Sequence, residues 1–168
     1  MDASLITPFV TSIQNVFSTM LQLDVKVEEP GLKKGPNPTH DVSGIIGMSG
    51  EVVGSVVLSF PEDAATSIVS LFCGEKLEAT SPDFADAIGE LVNMVSGGAK
   101  AMFPSNKVVS ISTPSVVVGA GHTVARQSDI PCVVIPCSTD CGTFVIEVGL
   151  REQPTGEPAA AGAAQAKA

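Results

Sequence analysis

Glu90 and Asn93 are the two residues of this chain whose types and spacing point most directly to chemistry. A carboxylate and a carboxamide three residues apart on a helix are surface neighbours and point the same way. The carboxylate accepts hydrogen bonds and pairs with cations. The carboxamide donates and accepts, so it can hold one water molecule without needing a particular pH. Residues 81–103 around them read SPDFADAIGELVNMVSGGAKAMF. Phe84, Ile88, Leu91, Val92, Val95, Ala99 and Met102 recur at the i, i+3, i+4, i+7 spacing of an amphipathic helix. At about 100° per residue, Asp86, Glu90, Asn93, Gly97 and Lys100 fall opposite that stripe, within roughly 80° of one another. Gly89 and Gly97 lie on or beside the polar face, each costing about 0.8–1 kcal/mol of helix propensity relative to alanine. Side chains given up there make room for something to approach closely.

Other groups carry weaker signals. Cys73 sits in an apolar helical stretch and reads as a small packed hydrophobe. Cys132, Cys137 and Cys141 lack the CxxC pairing of zinc sites, so reduced thiols are expected and no metal. Cys137 and Cys141 are expected to flank a turn over residues 138–140 as cross-strand neighbours. His40 and His122 read as loop polars. Gly119-Ala-Gly121 lacks the strand–GxGxxG–helix context of a phosphate cradle.

The elements that must hold Glu90 and Asn93 follow from periodicity. A first long helix is predicted over residues 4–23, from Leu5, Ile6, Phe9, Val10, Ile13, Val16, Phe17, Met20 and Leu21. A short strand at Val25 and Val27 follows, then a Pro-, Gly- and Lys-rich loop over 29–40. Residues 42–48 and 52–60 form a hairpin. Pro61, Glu62 and Asp63 open a second helix that Gly74 stops. Ser81 caps the third helix, with Pro82 at its first position. Residues 108–118 are β-rich but broken by Pro114, an edge strand or two short strands. A mobile loop is expected over 119–129, and a second hairpin from 132–136 and 143–150. The layout is α+β: a largely antiparallel sheet covered by two long helices, with helix-then-hairpin occurring twice in pseudo-two-fold fashion.

The chain of 168 residues suits one domain, taken as residues 1–151, before a Pro/Gly/Ala-rich tail over 152–168 expected to be disordered. A hydrophobic fraction of 44% fits a folded globule. No apolar run reaches the length of about 18 residues that spans a membrane, and the N-terminus has no basic leader. The cytoplasm is the expected compartment. A net charge of −9 and the absence of Trp and Tyr argue against nucleic acid and anionic membranes as partners.

The stretch Asp86-Ala-Ile-Gly-Glu90-Leu-Val-Asn93-Met, followed by Thr113-Pro114-Ser-Val-Val-Val-Gly119, resembles the CheC/CheX/FliY family of chemotaxis phosphatases. Their signature is Asp or Ser, three residues, Glu, two residues, Asn, and a proline further on. It maps onto Asp86, Glu90, Asn93 and Pro114, and the order of elements agrees over roughly residues 1–150. Relatives of the CheC type carry the Glu/Asn pair on both long helices. Here Asn15 in the first helix is preceded by Thr11 and Ser12, so a single site, as in the CheX branch, is expected. The resemblance implies hydrolysis of the phosphoryl-aspartate of a CheY-type response regulator. Asn93 would orient the attacking water, Glu90 would dock the regulator, and Asp86, Gly89 and Gly97 would extend the contact. It implies no cofactor of the chain's own, with Mg2+ supplied by the regulator, and a homodimer that joins and exchanges sheet elements. A non-catalytic module that docks on a regulator or the flagellar switch is the alternative.

Overall fold

The computed structural model describes residues 2–35, 40–104, 107–126 and 129–153. In chain order the elements are α1 (Ala3–Leu21), β1 (Lys26–Val27), β2 (Gly31–Leu32), β3 (Val42–Gly50) and β4 (Val52–Phe60). There follow α2 (Glu62–Cys73), α3 (Pro82–Ala101), β5 (Val109–Ile111), β6 (Ser115–Val118), β7 (Val133–Thr139) and β8 (Gly142–Glu152). The caps are those the sequence predicts. Ser81 accepts a hydrogen bond from the Asp83 amide, satisfying one of the free donors at the start of α3. Gly74 ends α2 at φ 72°, a left-handed conformation that glycine takes without a Cβ clash.

The strands form one antiparallel sheet in the order β1-β7-β8-β4-β3-β5, with β2 also on β7 and β6 also on β3. The two hairpins, β3–β4 and β7–β8, meet through their second strands, paired from Val52↔Glu152 to Ser59↔Val145. This mirror-like order is the pseudo-two-fold arrangement that the repeated helix-then-hairpin pattern predicts. The three helices cover one sheet face. Phe144 on β8 stacks on Phe17 of α1 at 5.3 Å and leans on Phe60 of β4 at 5.0 Å. Each such ring, fully buried, stabilises the fold by about 1.5–3 kcal/mol.

Several local expectations change. The stretch 29–40 contains β2, so its described part is not all loop. Pro136 lies inside β7, where its missing N–H falls in the gap between the β1 and β2 pairings. The second turn is Asp140–Cys141, closed by Thr139↔Gly142. Cys137 therefore faces Phe144 and is not a cross-strand neighbour of Cys141. Cys73, the last residue of α2, is exposed instead of packed. Strand β8 continues through Glu152, and the Gln153 amide donates to Glu51 O, so these two residues belong to the fold. The rest of the expected tail, residues 154–168, lies outside the described residues.

The other sheet face carries a polar layer. Glu147 is 3% exposed and accepts from Lys33 Nζ at 2.9 Å and from Arg126. Buried Ser43 lies 2.7 Å from His122 Nε2, whose Nδ1 lies 2.7 Å from Gly119 O. The described part of the loop expected to be mobile is thus tied to β3 and β8.

Candidate active site on the third helix

Helix α3 is seated by close packing on three sides. Toward the sheet, Gly44 on β3 leaves room for Val92 and Ile88: a Cβ there would stand 3.1 Å from Val92 Cγ1. Toward α1, the Ser12 hydroxyl donates to the Val95 carbonyl at 2.6 Å. A Cβ on Gly98 would lie only 2.5 Å from Ser12 Oγ. Toward β6, Gly89 is buried, and a Cβ on it would meet Pro114 Cγ at 3.3 Å.

Pro114 reaches α3 because the edge of the sheet bulges. Residues 112–114 oppose only residues 46–47 of β3, between the pairs Met48↔Ile111 and Ile45↔Ser115. Ser112 holds the bulge, its amide donating to Gly47 O and its hydroxyl accepting from Gly47 N, both at 2.9 Å. Both readings of residues 108–118 hold: two short strands, at an edge.

The residues singled out from sequence divide accordingly. Asp86 and Glu90 are exposed, and Asn93 is half-buried one turn further on. Gly97 is half-buried with nothing within 4 Å of where its Cβ would be, so its face is open. Lys100 is exposed at the end of the same stripe. Gly89 differs: the close approach it permits is to this chain's own Pro114. Val116 lies on the same side, so the buried face of Gly89 is turned to the β6 edge. Met102, placed on the apolar stripe, is 40% exposed where the helix ends. Ser96, one turn beyond Asn93, is fully buried, and its hydroxyl has no hydrogen-bond partner.

Sequence reasoning missed Ser12 and Gly98. Their signal was a Gly-Gly pair, Gly97-Gly98, of which only the first falls on the polar face. In α1, Asn15 is exposed while Ser12 is buried against α3. The position that would bear a glutamate in an ExxN pair is therefore turned inward. No group of three or more His, Cys, Asp or Glu that could hold a metal occurs among the described residues. None of their helices is long and apolar enough to cross a membrane.

An antiparallel sheet with helices on one face, the longest of them carrying exposed Glu90 and half-buried Asn93 beside the Pro114 bulge, defines an α+β fold shared with known proteins. Residues 42–138 match the family model described as chemotaxis phosphatase CheX. The CheY-P phosphatase CheX of Thermotoga maritima is 30% identical over 121 residues, 71% of this chain and 78% of that protein. A CheC-like superfamily protein from Shewanella sp. PV-4 superposes with a TM-score of 0.82 at 38% identity, over 90% of this chain and 99% of that one. The Borrelia burgdorferi CheX, solved as a CheX-CheY-BeF3-Mg2+ complex, shares the fold with a TM-score of 0.74. It is 22% identical, over 88% of this chain and 98% of its own. The chain belongs to the CheX family of chemotaxis phosphatases.

Proposed function

We propose that this protein hydrolyses the phosphoryl-aspartate of a CheY-type response regulator through the exposed stripe of α3. The observation that carries the reading is the Glu90/Asn93 pair, held outward by a helix packed on three sides and open at Gly97. An acyl phosphate is already activated, and the regulator brings the phosphorylated carboxylate and its Mg2+. What remains to be supplied is a water placed in line with phosphorus. Asn93 orients that water, its carboxamide accepting from it or donating to it. Glu90 pairs with a cation of the regulator beside the phosphoryl group, and Asp86 extends the contact. Half-burial restricts the rotamers of Asn93, while the exposed Glu90 is free to meet the partner. The reaction runs where the regulator resides, in the cytoplasm.

Decay of radiolabelled phospho-regulator tests this reading. Asn93→Ala should bind normally and lose the acceleration by about 10²-fold or more, the range for a group that acts on the reacting water. Glu90→Ala should weaken binding as well. Wild-type protein that leaves the decay of every cognate regulator unchanged would sink the phosphatase reading. Binding without hydrolysis would favour a docking module.

We further propose a homodimer with one site per subunit. The edge strands β5 and β6 and the residues beside them leave Val108, Val117 and Val118 exposed by 74%, 36% and 39%. A monomer at micromolar concentration in light scattering would refute it.

A further inference from the structure

We propose that Lys100 is a specificity-determining contact, pairing with a carboxylate on the phosphorylation face of the regulator. The inference rests on the docking role of α3 proposed above and extends it to the far end of the helix. The three helices carry a single basic residue between them, Lys100. That one cation lies on the same stripe as Asp86, Glu90 and Asn93, is exposed, and forms no ion pair among the described residues. Gly97, the residue between Asn93 and Lys100 on that stripe, projects nothing that would hold a partner off.

The distances fit one footprint. Lys100 is seven residues beyond Asn93, about 10 Å along the axis at 1.5 Å per residue. A standard interface covers about 800 Å² per partner, a disc of about 16 Å radius. With Asn93 near its centre, Lys100 falls inside it.

The charge fits as well. A face that binds Mg2+ beside a phosphoryl group does so with carboxylates. This chain carries a net charge of −9, and its other charged groups on the stripe are Asp86 and Glu90. Acid meeting acid slows encounter and disfavours the wrong orientation. Lys100 offsets that repulsion at one end of the helix only. It therefore sets which way α3 lies across the regulator and selects regulators with an acid at that distance. A lysine in the last turn also complements the helix dipole. That role belongs to folding, and it would appear in the melting temperature without altering KM.

The test uses the CheY-type regulator of the same organism, phosphorylated with acetyl phosphate for kinetics and loaded with beryllofluoride and Mg2+ for calorimetry. Lys100→Glu should raise KM about tenfold and leave kcat within twofold, Lys100→Arg should restore wild-type KM, and raising NaCl should increase KM more for wild type than for Lys100→Glu. KM unchanged in Lys100→Glu, or a loss confined to kcat, overturns the proposal. If wild-type protein accelerates no decay, the phosphatase reading fails but calorimetry still decides for Lys100. Weaker binding by Lys100→Glu upholds it, and equal binding, or no binding by either protein, overturns it.

Discussion

Asn93 and Ser96 are one helical turn apart and have opposite fates. Asn93 keeps one side toward solvent, whereas Ser96 is fully buried with an unpartnered hydroxyl. A buried hydroxyl without a partner forfeits about 1–3 kcal/mol, and alanine is also the better helix former. Ser96→Ala should therefore raise stability by about 1 kcal/mol, read as a shift of about 2–4 °C in melting temperature for a domain of this size. A lower melting temperature would mean that the hydroxyl has a partner in solution. The shared outer face of Glu90 and Asn93 was legible because their spacing is local and helix geometry fixes where both fall. Glu147 was not. Its partners Lys33 and Arg126 reach it from just after β2 and from the loop before β7, and only the sheet topology brings them together. Cys141 was misplaced for a related reason: sequence marks a turn, but hairpin register decides which two residues occupy it.

At the scale of elements, α3 has one contact that can be taken apart. The Ser12 hydroxyl occupies the space a Gly98 side chain would need, while donating to Val95 O. Gly98→Ala should cost about 1–3 kcal/mol through overpacking. Ser12→Ala alone should cost about 1 kcal/mol through the lost hydrogen bond. The double variant should cost less than the sum, because the new methyl fills the space the hydroxyl vacates. A coupling of about 0.5 kcal/mol or more in urea unfolding is expected, and strict additivity would show that the two residues do not compete for space. The helices themselves were readable to within two residues, since Ser81, Pro82 and Gly74 mark their ends by capping chemistry. The bulge at residues 112–114 was half readable. Pro114 announces a break in the strand, but only pairing with β3 shows that the break pushes the proline onto Gly89.

The whole molecule carries a pH dependence on its alkaline side. Burial in the core pushes the Cys137 thiol up to about 12, while in an unfolded chain it ionises near 8.5. Between those values the unfolded chain loses the proton first, so stability falls as pH rises. The slope from this one thiol approaches about 1.4 kcal/mol per pH unit above 9. Urea midpoints at pH 8 and pH 10 should differ accordingly, and Cys137→Ala should shrink the difference. An unaltered pH dependence in that variant would place the cause elsewhere.

The α+β architecture was legible because two hairpins and two long helices leave few ways to bury their apolar faces. The central β4–β8 pairing was not, since nothing local specifies which strands of the two hairpins meet. That pairing has a consequence for how the protein is made. Strands β3 and β4 leave the ribosome early and wait with one edge uncovered while nearly a hundred more residues are synthesised. The strand that completes the middle of the sheet is the last of the eight to emerge. A nascent chain stalled before residue 142 therefore holds α3 and the strands it packs on, while β4 still lacks its central partner and Phe17 of α1 lacks Phe144. Phosphatase activity should accordingly appear late in synthesis, and in one step.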